Sequence, residues 1–166
     1  MVLAKRIILG FLLLLWWYGF FHPGFFVFVD GINLIFHEAG HVVFMPFGEI
    51  IYFLGGSVLQ IVLPLGIAGC FYYKEQYFSA SFTSLWAAES CVNVALYIKD
   101  ARAQDIPLLN DNLTHDWNFL LGQAHWLKYD QGIGNGVIGL AFLVLGWGVW
   151  VGVTRIEDVK KEQVDY

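Results

Sequence analysis

Residues 30–47 read DGINLIFHEAGHVVFMPF and lie in an almost unbroken apolar stretch, residues 25–47. At the centre of this stretch, His37, Glu38 and His41 form a His-Glu-x-x-His motif. Residues four apart lie one above the other on a helix, so the two imidazoles can bind one metal ion, with Glu38 a step around the face. Two neutral imidazoles suit zinc, and a neighbouring carboxylate can take a proton from water at the metal. The stretch therefore predicts a zinc site on an apolar helix.

The composition places this helix in a membrane. Only 14% of the 166 residues are charged, against about 25% in an ordinary soluble domain. An ionisable group at bilayer depth costs about 2.5 to 3.5 kcal/mol and is usually retained for function. The net charge of -5 and the lack of a basic cluster argue against nucleic acid as a partner.

The hydropathy pattern predicts an all-α fold, a polytopic membrane helix bundle of about five transmembrane helices. The expected spans are residues 7–21, 25–47, 50–73, 78–98 and 132–153, in a single membrane domain covering residues 1–166. Lys5 and Arg6 precede the first span and favour a cytoplasmic N-terminus. The polar connection 99–116 leads into a short apolar run that cannot span and predicts a re-entrant or interfacial helix.

Polar residues extend the motif upstream along one side of the helix. Asp30 and Asn33 precede His37 by seven and four residues, which places them on the same face. Two roles stay open for them: capping or a local break at Gly31, or orientation of a ligand imidazole through its other nitrogen. Gly40 would let a neighbouring helix approach closely.

The motif in a hydrophobic helix, followed by a second apolar helix with small residues, resembles the site-2-protease family of intramembrane zinc metalloproteases. This resemblance implies that His37 and His41 bind zinc, that Glu38 is the catalytic base and that a later aspartate is the third ligand. It also implies hydrolysis of peptide bonds in membrane-embedded proteins or peptides. We expect a multi-pass protein of the bacterial inner membrane, with the lipid bilayer as its surroundings.

A catalytic zinc needs three protein ligands, and the motif supplies two. His115 and Asp116, at the end of the polar connection, are the best remaining candidates. Either His115 binds the metal while Asp116 caps the next helix, or Asp116 is the ligand, as the family resemblance implies. Glu89, which shares a helix face with Asn93, is a more distant alternative.

The third expected span carries a small and polar face that includes Ser57 and Gln60. In one interpretation both residues line the active cleft and bind the substrate or its oxyanion. In the other they serve helix packing, since Gly55 and Gly56 allow close contact and Gln60 can bond across an interface.

A second class of function also fits this sequence. The chain lacks the family's usual third-ligand and substrate-binding motifs, so a non-catalytic metal-binding or chaperone-like membrane protein remains an alternative. A di-metal hydroxylase or desaturase needs clusters of paired histidines, and this chain has five scattered histidines.

Overall fold

The computed structural model describes residues 2–22, 26–110 and 113–156. Within these ranges the chain is all-helical, which confirms the predicted fold class. The six α-helices in chain order are α1 (Val2–Phe21), α2 (Val27–Phe44), α3 (Glu49–Tyr73), α4 (Tyr77–Lys99), α5 (Asp116–Gln123) and α6 (Asp130–Thr154). The predicted single domain also included positions 1, 23–25, 111–112 and 157–166, which lie outside the described residues.

Three segments of the described chain are long and apolar enough to cross a membrane: Val2–Phe21, Glu49–Tyr73 and Leu127–Thr154. These correspond to α1, α3 and α6. The other two long helices, α2 and α4, match the remaining predicted spans in position but carry more polar side chains. The count of about five spans therefore stays a prediction.

Helix α4 lies at the centre of the bundle. It packs most extensively against α6 and also against α3, while α3 packs against α2. One apolar cluster joins α1, α4 and α6 around Trp16, Leu85 and Val144. A second joins α4 to α5 around Ile98 and Leu121. Helix α2 is thus held mainly by α3, at one side of the bundle.

The turn between α2 and α3 is short and fixed by its sequence. Residues Met45–Phe47 form a 3-10 turn that contains Pro46. Gly48 follows with φ 98, a conformation that L side chains rarely adopt. The chain can therefore reverse directly, and α3 returns alongside the motif helix.

Helix α5 is too short to cross a bilayer, since 8 residues span about 12 Å. The polar connection before it is anchored at two points. Asp100 accepts hydrogen bonds from the backbone N–H groups of Asp105 and Ile106. Arg102 makes two hydrogen bonds of 2.7 Å to Asp130 at the start of α6. These contacts, together with the apolar packing of α5 against α4, fix the position of the residues that begin α5.

Candidate metal centre

The two histidines of the motif lie on the face of α2 that packs against α3. Each is only 7% exposed, and their rings meet edge to face with centroids 4.9 Å apart. Their Nε2 atoms point toward the backbone of Gly56: a Cβ added there would lie 2.7 Å from Nε2 of His37 and 2.8 Å from Nε2 of His41. The missing side chain at Gly56 therefore leaves room for both imidazoles.

Close helix packing brings this glycine to the histidines. A Cβ at Gly40 would overlap the backbone carbonyl of Gly55, and one at Gly55 would lie 2.9 Å from the carbonyl oxygen of Gly40. The prediction that Gly40 permits a close helix approach is confirmed, and α3 is the helix that approaches.

Asp116, the first residue of α5, completes a three-residue group. Its Oδ2 atom lies 2.7 Å from Nε2 of His37 and 3.3 Å from Nε2 of His41. These three residues offer metal-binding atoms within 4.8 Å of one another, and we call them the donor group. Tetrahedral zinc, with nitrogen and oxygen ligands at about 2.0–2.1 Å, holds them about 3.3 Å apart. The separation of His41 and Asp116 equals this value, and that of His37 and Asp116 is about 0.6 Å shorter.

The electrostatics of Asp116 suit a metal ligand. Burial disfavours its charged form, but hydrogen bonds with His37 and His41 outweigh that effect and hold its pKa below the usual range. The carboxylate is therefore available in the ionised form that a metal requires.

His115 lies beside the donor group and has other partners. Its Nδ1 accepts a hydrogen bond of 3.2 Å from the backbone N–H of Asn118, so its side chain caps α5. Its Nε2 lies 3.3 Å from Oδ2 of Asp100, and burial lowers its pKa although Asp100 acts in the opposite direction. Of the two alternatives for this pair, the structure has His115 as the N-cap of α5. Asp116 is the residue whose carboxylate contacts the motif histidines.

The second nitrogen of each motif imidazole is also engaged. Nδ1 of His37 lies 3.1 Å from Oε1 of Gln60, and Nδ1 of His41 lies 2.8 Å from the backbone oxygen of Tyr52. Both acceptors favour a hydrogen on Nδ1, so Nε2 is the atom that would bind a metal once it gives up the hydrogen that it shares with Asp116. Residues of α3 therefore orient both rings.

Asp30 and Asn33, predicted as caps or as imidazole partners, instead bind α4. Asn33, 1% exposed, donates to Glu89 at 2.6 Å and accepts from Trp86 and Ser90. Glu89 therefore lies in this polar network between α2 and α4 and not in the donor group.

Asp30 reaches the donor group only indirectly. It accepts a hydrogen bond from Asn93, whose side-chain oxygen in turn accepts one from Gln60. Gln60 is the residue in contact with His37. Asn93 and Gln60 thus lie between Asp30 and the imidazole of His37, which Asp30 was expected to orient.

Ser57 and Gln60, predicted as substrate contacts, are turned into the protein. Each is 3% exposed. Ser57 accepts a hydrogen bond of 3.0 Å from the Trp117 indole, which joins α3 to α5, and Gln60 bridges His37 and Asn93. This placement corresponds to the packing interpretation of that helix face.

Glu38 differs from the buried donor group because its side chain is exposed. It lies one residue after His37 and three before His41 on α2. An accessible carboxylate thus lies between the two buried histidines along the motif helix.

Sequence reasoning missed Tyr97. Its ring lies 4.2 Å from that of His115 and 5.7 Å, edge-on, from that of His37. Its hydroxyl oxygen accepts a 3.2 Å hydrogen bond from the backbone N–H of Asp116. The signal was present, because Tyr97 continues the four-residue spacing of Glu89 and Asn93 on α4 toward the donor group.

Comparison of the chain with protein-family models, with curated proteins and with solved structures gives no match.

Proposed function

We propose that this chain is an intramembrane zinc metalloprotease that hydrolyses peptide bonds of membrane-embedded proteins or peptides. The observation that carries the proposal is the donor group: His37, His41 and Asp116 come from two distant parts of the chain, are buried, and offer metal-binding atoms within 4.8 Å of one another. Three nitrogen and oxygen ligands with a fourth position left open are the usual set of a catalytic zinc. An exposed carboxylate, Glu38, lies beside them.

The donor group would hold the zinc ion, and Gln60 and Tyr52 would keep the imidazoles in position. Bound zinc polarises a carbonyl group and lowers the pKa of water. Asp116 contributes a negative charge to the site.

Glu38 is the proposed catalytic base. It takes a proton from the attacking water as the oxygen of that water bonds to the scissile carbonyl carbon. It then gives this proton to the leaving amine as the carbon–nitrogen bond breaks, so the carboxylate is regenerated. The exposure of Glu38 supports this role, because a substrate can reach its carboxylate.

The membrane setting limits the substrates. A peptide bond within an intact transmembrane helix has its carbonyl engaged in the helix, so the substrate must expose its backbone before it reacts. We therefore expect transmembrane helices that contain small or helix-breaking residues. The resemblance of the motif helix to site-2 proteases supports the same substrate class and a location in the bacterial inner membrane.

The test is cleavage of a model transmembrane peptide by the zinc-loaded protein in lipid nanodiscs, with Glu38→Gln beside the wild type. The substitution should lower the rate by about 10²–10⁴-fold and leave the zinc content at one ion per chain. Glu49→Gln is the matched control, since Glu49 is also an exposed acidic residue. This substitution should leave the rate of cleavage unchanged. If Glu38→Gln cleaves as fast as wild type, the mechanism is wrong.

One observation favours the alternative, a non-catalytic metal-binding or chaperone-like membrane protein. Ser57 and Gln60, the groups expected to bind a substrate, are both engaged in contacts within the protein. Under this alternative Glu38→Gln has no effect in any assay, while His41→Ala lowers the melting temperature by removing a metal ligand. The same set of variants therefore decides between the two functions.

A further inference from the structure

Tyr97 is fixed at the boundary between the two segments that supply the donor group. Its ring packs against His115 of the polar connection on one side and meets the edge of His37 on the other. The backbone N–H of Asp116 donates to its hydroxyl oxygen. Three separate contacts thus hold the phenol next to two of the three donor residues.

The hydroxyl hydrogen of Tyr97 is available for another partner. A phenol both accepts and donates hydrogen bonds, and the N–H of Asp116 uses only its accepting capacity. Among residues 2–22, 26–110 and 113–156, the one hydrogen bond found at this hydroxyl is the one that it accepts from Asp116. A phenol ionises near pH 10, so the group is a neutral donor at neutral pH.

Tyr97 also lies beside the donor group by direct measurement. Its hydroxyl oxygen is 3.2 Å from the backbone nitrogen of Asp116, and its ring centroid is 5.7 Å from that of His37. This places the phenol next to two of the proposed metal ligands. A hydrogen-bond donor in such a position can interact with the oxygen of the scissile carbonyl.

Accessibility separates Tyr97 from the donors first expected to do this. Ser57 and Gln60 are each 3% exposed, and the side-chain amide of Gln60 already donates to Asn93. Tyr97 is only partly buried. Tyr97 is thus more accessible to a substrate than either Ser57 or Gln60.

We propose that Tyr97 is a further catalytic residue, whose hydroxyl donates a hydrogen bond to the negatively charged oxygen of the tetrahedral intermediate in peptide hydrolysis. The inference rests on the proposed proteolytic function. When water adds to the carbonyl carbon, the π electron pair moves onto the carbonyl oxygen, and a donor aimed at that oxygen stabilises the transition state more than the substrate. The phenol keeps its proton throughout.

The test is Tyr97→Phe, which removes one oxygen atom and retains the ring that packs on His115 and His37. Zinc content, kcat and KM for the model peptide, and affinity for a phosphinic peptide analogue should be measured on wild type and variant. The phosphinic group imitates the tetrahedral intermediate, whereas a peptide hydroxamate binds the metal without doing so. Tyr72→Phe is the matched control, because the Tyr72 ring packs against Tyr77 and Trp147.

We expect Tyr97→Phe to retain one zinc per chain and to lose about 10²–10³-fold in kcat, the effect of removing one oxyanion donor. Affinity for the phosphinic peptide should fall by a similar factor, and affinity for the hydroxamate should not change. Tyr72→Phe should match wild type in every measurement. Ser57→Ala should retain more activity than Tyr97→Phe, since Ser57 is the competing donor.

Three results would overturn this assignment. Wild-type kcat in Tyr97→Phe would exclude a catalytic role. Misfolding, or loss of zinc in proportion to loss of activity, would make the residue structural. If wild type cleaves the peptide and Glu38→Gln does not, a failure at Tyr97 concerns only this inference; if wild type cleaves nothing, the proposed function fails as well.

Discussion

The substitution Gly56→Ala probes the donor group without touching any donor atom. Gly56 is a buried residue of α3 that faces both imidazoles. On an isolated helix, alanine in place of glycine is stabilising by about 0.5–1 kcal/mol. Here the added methyl would lie 2.7 Å from Nε2 of His37 and 2.8 Å from Nε2 of His41. We therefore expect Gly56→Ala to leave helix α3 intact and to weaken metal binding by the donor group.

The size of the effect follows from these distances. The two contacts fall about 0.7 and 0.6 Å short of the 3.4 Å at which ordinary van der Waals contact begins. Metal–ligand distances tolerate about 0.2 Å, so the rings must move by several times that tolerance. Displacing supporting groups costs up to about 100-fold in metal affinity, and moving two ligands should cost at least as much. This corresponds to about 2.8 kcal/mol.

The assay is a zinc titration of detergent-purified protein against a competing chelator, together with thermal unfolding at fixed free zinc. At free zinc of about 1,000 times the wild-type Kd, binding stabilises the folded state by about 4.1 kcal/mol, and a site weakened 100-fold retains about 1.4 kcal/mol. Gly66→Ala is the control. Gly66 is exposed on the same helix, and a Cβ there has nothing within 4 Å.

Wild-type zinc affinity in Gly56→Ala would refute the reasoning. It would mean that the two imidazoles do not converge on the α3 backbone, and the position of Asp116 relative to them would then lose its support. A loss of zinc in Gly66→Ala equal to that in Gly56→Ala would refute it too, since the effect would then come from α3 as a whole.

Three other predictions can be checked on the same preparation. Gly40→Ala should lower the free energy of unfolding by about 1–3 kcal/mol, because the added methyl overpacks against α3. Gly31→Ala is the control and should not lower it, since a Cβ there has nothing within 4 Å. Denaturant titration measures both free energies. Gln60→Leu should weaken zinc binding by about 10–100-fold, because an imidazole loses the acceptor that orients it, measured by chelator competition. Asp116→Ala should abolish tight zinc binding at equilibrium dialysis, while His115→Ala, which removes a helix cap, should retain it.

Much of the fold follows from local pattern alone. Apolar runs of about 20 residues predict long helices, and each of the five predicted spans corresponds to an observed helix. The spacing of His37 and His41 is also local, and the structure brings both side chains to one point. Asp116 was predicted only as one of a pair, because the residues near a helix start indicate a cap or a ligand equally well.

The contacts between helices could not be predicted in this way. That Gln60, and not Asp30 or Asn33, meets His37 depends on how α2 and α3 cross, which the periodicity of either helix leaves open. The carbonyl of Tyr52 carries no side-chain signal at all. The role of Gly56 likewise follows from the depth of packing around Gly40. All three contacts depend on how separate helices pack together, and the sequence of each helix alone does not determine this.

The proposed membrane location gives the polar network between α2 and α4 a physical reason. Inside a bilayer, apolar side chains would contact lipid about as favourably as they contact another helix, so they would do little to fix the register of two helices. Asn33 satisfies Glu89, Trp86 and Ser90 together, and this pattern fits only one register. A slip of one residue would rotate α2 by about 100° and shift it by about 1.5 Å, which would carry His37 away from Asp116. The network of Asn33 and Glu89 thus adds to the packing against α3 in holding the motif helix where Asp116 can meet it.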